Sequence, residues 1–413
     1  MSKLQRLRDN IAALRHALSL TDGYDPAVLN KYTGFGGLTF VLNPLDKPWS
    51  KSEQMYVDDT IELHTLLRGA SKSEREYQAW VESLKASTLT AYYTPDKLAD
   101  VIMGKLILGG VRCMQVLDPA AGMGVFGKMY AWNAEYAGFE PHVTYYEKDL
   151  MTAVLLKAKM GNGGKTTVHT KGFETIPASE LGKYDLVSTN VPFGDTMLFD
   201  PEYSNSKSQV RRDAAKMIHR YYVLKGLDCL REGGVLAYII TSNYLNRDGE
   251  QLGEALKEAR LIGAYRLANN LFKESGTEVG TDLLVMQKDS KRGPLNEEET
   301  MLLTQYEDGG CPTSMYFDMW PERVIATEQV TGTDAYGKPG FVYRHEGGVA
   351  GIAKDLGEVL AKDLTEKLKA TAREDSDPTP DPSPTGAGSG YRQSERGKSE
   401  NKQEQGGQWQ EID

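Results

Sequence analysis

The sequence predicts an α/β protein with a mostly parallel sheet and helices on both of its faces. Between residues 89 and 290, seven short apolar runs alternate with helical ones: MQVLD, VTYYE, TTVHT, YDLVSTN, VLAYIIT, LIGAYRL and DLLVMQ. That alternation is the signature of a layered α/β sheet. A second observation is the tight Ala-Gly-Met-Gly turn that links the first run to a helix. A third is that YDLVSTN stops abruptly in Asn-Val-Pro-Phe-Gly, delivering polar and aromatic groups to one sheet edge.

In chain order, residues 1–88 read as a helical amino-terminal domain. Leu4, Leu7, Ile11, Leu14 and Leu18 recur at helical spacing with Arg and Lys between them. No apolar run here reaches signal-peptide or membrane-span length, so a cytoplasmic protein is expected, with no membrane partner. KYTGFGGLTF (31–40) interrupts the helices, and SKSEREYQAWVESLKAS forms a charged one. Residues 89–290 are the α/β core. Residues 291–370 are a small mixed appendage that ends in a helix, GIAKDLGEVLAKDLTEKLKA. Residues 371–413 are rich in Pro, Gly, Ser and charge, and are expected to be a disordered tail.

Of the 413 residues, 40% are hydrophobic and 26% charged, as in ordinary globular chains. The net charge of −10 excludes a broadly basic nucleic-acid binder, so any DNA contact must come from a local patch. Cys113, Cys229 and Cys311 are far apart and form no C-x-x-C pair, so neither a disulfide framework nor a metal site is expected.

Three motifs carry chemistry. In MQVLDPAAGMGVF, a strand ends at Asp118 and the chain turns through Ala120, Gly122 and Gly124 into a helix. Glycine there lets the backbone approach a ligand at the carboxyl end of a parallel strand, where open α/β sheets bind. The second strand ends in Glu147, 29 residues after Asp118, where an acid can accept hydrogen bonds from both ribose hydroxyls. Because the turn is not G-x-G-x-x-G, a nucleoside without phosphates fits better than a dinucleotide.

The third motif is Asn190-Val191-Pro192-Phe193. An exocyclic amine on a heterocycle is a poor nucleophile because its lone pair is delocalised into the ring. Two acceptors on its two hydrogens, the Asn190 side-chain oxygen and the Val191 carbonyl, favour the positive charge that develops during attack. Pro192 fixes the backbone and Phe193 offers a ring on which an extruded base can stack. Just beyond, residues 203–225 carry Lys207, Arg211, Arg212, Lys216, Arg220 and Lys225 against Asp213 alone. This stretch is a candidate phosphate-binding patch, or the solvated face of a helix that buries Met217, Tyr221 and Leu224. His219 is given no catalytic role, since methyl transfer needs orientation more than a strong base.

Over about 89–290 these motifs, in this order, resemble the S-adenosylmethionine-dependent N6-adenine DNA methyltransferases, whose signature is Asn-Pro-Pro-Tyr/Phe. The resemblance implies a Rossmann-like seven-stranded methyltransferase sheet with its last strand antiparallel, S-adenosyl-L-methionine as cofactor, and a base-flipped adenine of DNA as substrate. It implies that Tyr93, Thr94 and Pro95 of AYYTP pack on the methionine moiety, that DPAAGMG and Glu147 hold the cofactor, and that Phe173 and Glu174 of KGFETIP lie beside its adenine. KYTGFGGL is similar to a segment of large methylases of phages, plasmids and conjugative elements, some fused to helicases. Two departures stand out. Val191 replaces the first signature proline, and no large target-recognition module follows residue 290, so sequence specificity is expected to be low or to be supplied by another chain, a specificity or helicase partner. Methylation of RNA or of a protein glutamine, and a silent methylase-like DNA-binding module, stay open as alternatives.

Overall fold

The structure, a computed structural model, describes residues 2–19, 25–90, 94–161, 164–194, 196–275, 279–333 and 337–369. Tyr93 and the tail beyond 370 lie outside them.

The amino-terminal helices are α1 (Lys3–Ser19), α2 (Pro26–Leu29), α3 (Val57–Gly69) and α4 (Glu74–Thr90). The apolar stripe read from the sequence is the buried one: Leu7, Ile11 and Leu14 of α1 meet Phe35, Leu63 and Trp80. The KYTGFGGL loop is tied at its centre. Arg6 and Asn10 donate to the Gly34 carbonyl (3.0 and 2.8 Å), and the Phe35 N–H donates to the Ser87 hydroxyl (3.2 Å).

The seven apolar runs form β1 (Gln115–Asp118), β2 (His142–Tyr146), β3 (Thr166–His169), β4 (Tyr184–Asn190), β5 (Leu230–Thr241), β6 (Ala259–Leu267) and β7 (Thr281–Lys288). Across the sheet they lie in the order β6-β7-β5-β4-β1-β2-β3, with β7 antiparallel to both neighbours. The expectation of seven strands needs one correction. After a separate ladder of β8 (Gln305–Asp308) and β9 (Cys311–Ser314), the two-residue β10 (Val324–Ile325) pairs in parallel with β6 and makes an eighth. A further antiparallel pair, β11 (Glu328–Thr333) and β12 (Pro339–Arg344), stands apart from the sheet.

Alternate residues of each strand face opposite layers. Val116, Leu186, Val235 and Ala237 pack with Leu98, Ile102 and Leu106 of α5 (Asp96–Leu108) and with Phe126 and Tyr130 of α6 (Val125–Tyr136). Their neighbours Leu117, Val187, Leu236 and Tyr238 face the other layer. Between the two layers in sequence come α7 (Leu150–Met160), α8 (Pro201–Ser204) and α9 (Gln209–Ala214). The second layer is built from α10 (Ile218–Cys229), which supplies Tyr221 and Leu224. It continues beyond α11 (Ser242–Arg247) with α12 (Gly249–Glu258), which supplies Leu252 and Leu256. β4 is buried on both faces, its polar Asp185, Ser188 and Thr189 included.

After β7 come α13 (Glu297–Leu303), α14 (Met315–Met319) and the long α15 (Gly348–Lys367). Leu356, Leu360 and Leu364 of α15 are buried in the first layer with α5. The amino-terminal helices join through α7, whose Met151 and Leu155 belong to their core.

Candidate active site

Five parallel strands end at one edge, and their final residues build the site. Past Asp118 the chain makes a tight turn in which Gly124 N–H donates to the Ala121 carbonyl (2.7 Å), while Ala121 N–H donates to the Tyr146 carbonyl of β2 (3.0 Å). Gly124 starts α6 with φ +76, and a Cβ there would meet Leu156 Cδ1 at 2.7 Å and Met160 Cε at 2.8 Å. Glycine is therefore required twice over, by backbone conformation and by the approach of α7.

Glu147 closes this loop from β2. Its carboxylate accepts from Gly122 N–H (2.8 Å) and Asp149 N–H (2.7 Å), one bond to each oxygen. A carboxylate has about four acceptor positions, so capacity remains for two hydroxyl donors. Burial pushes the Glu147 carboxyl up to about 7, and the two backbone donors offset only part of that rise. Asp149 caps α7 through Thr152 N–H (2.9 Å) and accepts from the Ser83 hydroxyl of α4. Ser83 in turn accepts from Met151 N–H (3.0 Å). The amino-terminal helices thus brace the strand end that presents Glu147.

Asp118 is 1% exposed. The nearby Thr189 hydroxyl donates to the Ala120 carbonyl (3.1 Å), and neither Asp118 oxygen receives a hydrogen bond among the described residues. Burial pushes this carboxyl up to about 7, Thr189 and Ala120 beside it offset only part, and the Glu147 charge adds to the rise.

An open cleft lies against the loop. Thr94, Ala120, Gly122 and Asn190 line it together with Lys128 and Lys159. The Thr94 hydroxyl and the Asn190 Oδ1 are both buried without a partner among the described residues. Such orphaned polar atoms are uncommon in native interiors, and these two line one cleft. Pro95, next to Thr94, is the residue from which α5 starts. Burial, and then the Lys128 charge, hold the Lys159 ammonium below the ordinary lysine range.

Asn190 ends β4 opposite Ile239, whose carbonyl accepts from Val191 N–H (2.9 Å). The Val191 side chain is fully buried and Pro192 is exposed. Phe193 is half-buried, stacked on His219 (centroids 6.2 Å apart, planes at 26°) and edge-on to Phe272 (6.0 Å, 75°). His219 is buried and burial pushes it down to about 3, so the ring is uncharged at neutral pH.

Two sequence expectations are placed differently. Phe173 is fully enclosed against Tyr221 (6.0 Å) and Tyr222 (5.1 Å), which makes it core, and Glu174 is held by Lys148 (3.0 Å). The basic stretch is divided between interior and surface. Arg211 grips Asp228 with two hydrogen bonds (2.7 and 2.9 Å) and reaches Glu258 (3.1 Å), so it is a structural ion pair and not a phosphate ligand. Lys225 is buried between Asp200 (3.0 Å) and Glu202 (2.9 Å), and Arg220 pairs with Asp248 (2.5 Å). Lys207 and Lys216 stay exposed, and Arg212 is partly so. Ser83, Asp149 and His219 were not read as site residues from sequence. Only the Asp at the start of α7 carried a local signal, that of a helix cap.

The sheet order, the turn after β1 and the polar strand ends define the class I methyltransferase fold. Residues 131–272 match the model of the Eco57I restriction-modification methylase family. The matched span takes in Glu147, the Asn190–Phe193 motif and Phe272, and begins after the 118–124 turn. Defense against restriction protein B of Escherichia phage P1 is 24% identical over 253 residues, 58% of this chain and 10% of that protein. Type II methyltransferase M.AccI of Acinetobacter calcoaceticus is 25% identical over 224 residues, 49% of this chain and 38% of that protein. The chain therefore spans well under half the length of these curated relatives. Among solved structures, a putative class I S-adenosylmethionine-dependent methyltransferase from Listeria monocytogenes is similar at a TM-score of 0.43 and 16% identity, over 71% of this chain and 91% of that one. Among the described residues no helix is long and apolar enough to cross a membrane.

Proposed function

We propose that this chain transfers a methyl group from S-adenosyl-L-methionine to the N6 amine of an adenine extruded from DNA. The observation that carries this reading is the buried, unpartnered Asn190 Oδ1 at the wall of the cleft beside the Gly-rich turn. An acceptor without a donor is what a planar amine requires.

The residues present fit the cofactor. Glu147 has spare acceptor capacity for ribose hydroxyls, and the Thr94 hydroxyl is buried without a partner among the described residues. Lys159 brings positive charge to the cleft, while Lys128 is paired with Asp96 (3.5 Å), which lines the cleft too. When bound, the cofactor supplies an electrophilic methyl on a sulfonium. Asn190 Oδ1 and the Val191 carbonyl take the two N6 hydrogens, so the nitrogen lone pair is directed away from the ring as the new C–N bond forms. The proton that N6 loses passes to solvent, because no basic side chain is needed for so acidic a product cation. Phe193, seated on His219 and Phe272, holds the base plane. Lys207, Arg212 and Lys216 hold phosphates. The described residues after 290 form only small ladders and helices, of which α15 packs on the core, and none of them is assigned a role in sequence choice.

The test is transfer of labelled methyl to unmethylated double-stranded DNA, to RNA and to protein, with Asn190→Ala run beside the wild type. Label on adenine with wild type that vanishes with the variant is the expected outcome. Label on RNA or protein alone would replace DNA as substrate, and failure to bind the cofactor would leave a silent module.

A further inference from the structure

Shortly after the Asn190–Phe193 motif, two large apolar side chains point into solvent. Met197 is 72% exposed and Phe199 is 77% exposed, while Leu198 between them is 6% exposed. Leaving such groups in water forgoes the stabilisation that burial of apolar surface brings. The backbone is fastened between the two side chains and just after them. Leu198 N–H donates to the Ala215 carbonyl (2.9 Å). Asp200 caps α8 through Glu202 N–H (2.8 Å), accepts from the Tyr221 hydroxyl (2.7 Å) and meets the buried Lys225 (3.0 Å). The segment is built to present Met197 and Phe199 outward.

What covers them is indicated by charge and by reach. The contact with Ala215 places Leu198 beside Lys216, which is 62% exposed and tied only to Asp213 on its own surface turn. Lys207 and Arg212 belong to the same surface stretch. An apolar pair bordered by cations suits a polyanion with an apolar interior, which is duplex DNA. Phe199 lies six positions after Phe193, at most ~20 Å of chain, so the pair stays within a few base steps of the target amine.

Building on the adenine-methyltransferase reading, we infer that Met197 and Phe199 form an apolar wedge that enters the base stack and fills the space left by the extruded adenine. Extrusion costs a few kcal/mol of stacking and pairing, and the wedge recovers part of this by burying its own surface. The wedge touches neither the cofactor nor the reacting nitrogen, so it matters only where a stack has to be opened.

The experiment compares wild type with the Met197→Ala/Phe199→Ala double variant on unmethylated genomic DNA, native or heat-denatured, reading labelled methyl transfer. The variant is expected to lose at least tenfold in kcat/KM on native DNA and less than threefold on denatured DNA. Equal losses on both forms, or no loss on native DNA, would overturn the wedge. Wild-type activity confined to denatured DNA would also overturn it while leaving adenine methylation standing. Absence of wild-type transfer to either form would overturn the DNA reading and the wedge with it.

Discussion

The imidazole of His219 lies almost parallel to the ring of Phe193, with centroids 6.2 Å apart and planes at 26°. His219 comes from α10 and Phe193 from the turn after β4, so a second-layer helix seats the aromatic ring proposed to stack the target base. Burial pushes His219 down to about 3, below the usual histidine value near 6.5. The seat is therefore a neutral surface. His219→Ala should lower kcat/KM about tenfold, equivalent to about 1.4 kcal/mol, while cofactor affinity changes less than twofold. His219→Phe should restore most of the loss, and neither variant should alter the shape of the pH–rate profile. A missing limb in either profile would instead assign His219 a proton-transfer role. Because its folded pKa is depressed, His219 contributes stability that is present above about pH 6.5 and lost as pH falls toward 3.

Removing the Asn190 acceptor should cost far more than removing the seat of the ring. Asn190→Ala deletes one preorganised partner of the target amine and should lower kcat by two to three orders of magnitude, about 3–4 kcal/mol, with cofactor affinity retained. Near-normal turnover in single-turnover assays would sink the role given to Asn190.

Asp118 and Glu147 are both pushed up to about 7, chiefly by burial. A cationic donor on the ligand favours the ionised carboxylates, so S-adenosyl-L-methionine should bind about tenfold more tightly at pH 8 than at pH 6 if a single group near 7 controls it. Asp118→Asn should weaken binding at pH 8 and flatten this dependence, as titration calorimetry would show. The stability sign is the reverse. With folded pKa values above those of the unfolded chain, the two carboxyls contribute stability that is full below about pH 4 and lost as pH rises through 7. The ligand-free protein should accordingly melt lower at pH 8 than at pH 5, and Asp118→Asn should reduce that difference.

The strands were legible because burial on both faces leaves continuous apolar runs, and the 118–124 turn was legible because only glycine satisfies its φ and the approach of α7. β10 was not, since two residues carry no periodicity. Arg211 looked like part of a basic patch because its partners, Asp228 and Glu258, lie 17 and 47 residues away in sequence and meet it only through the packing of α9, α10 and α12. Phe173 sat at a position where the family places a cofactor neighbour, but the aromatic pair Tyr221 and Tyr222 encloses it. The Ser83 to Asp149 brace was hidden for the same reason, as its partners are 66 residues apart.

Gly124 offers a test of close packing at the cofactor turn. Gly124→Ala meets both strain at φ +76 and a clash with Leu156 and Met160, whereas Gly138→Ala has a similar φ of +78 and open space. Gly138→Ala should cost only about 1 kcal/mol of stability and leave cofactor binding unchanged. Gly124→Ala should displace the turn that carries Gly122 and weaken cofactor binding more than tenfold. Equal behaviour of the two variants would show that backbone strain alone decides at Gly124.

The division of the basic stretch into interior and surface cations predicts two separable phenotypes. Arg211→Ala leaves Asp228 without its bidentate partner and should destabilise the fold by about 2 kcal/mol, measured by denaturant unfolding. Its salt dependence of DNA binding should match wild type, because Arg211 is committed to Asp228 and Glu258 in the folded protein. Lys207→Ala and Lys216→Ala should do the opposite. Each should leave stability within about 0.5 kcal/mol of wild type and lower the slope of log affinity against log salt by about 0.9, the share of one phosphate contact. If Arg211→Ala lowered the slope at unchanged stability, the ion pair would have to open on DNA and the assignment of Arg211 to the interior would fail.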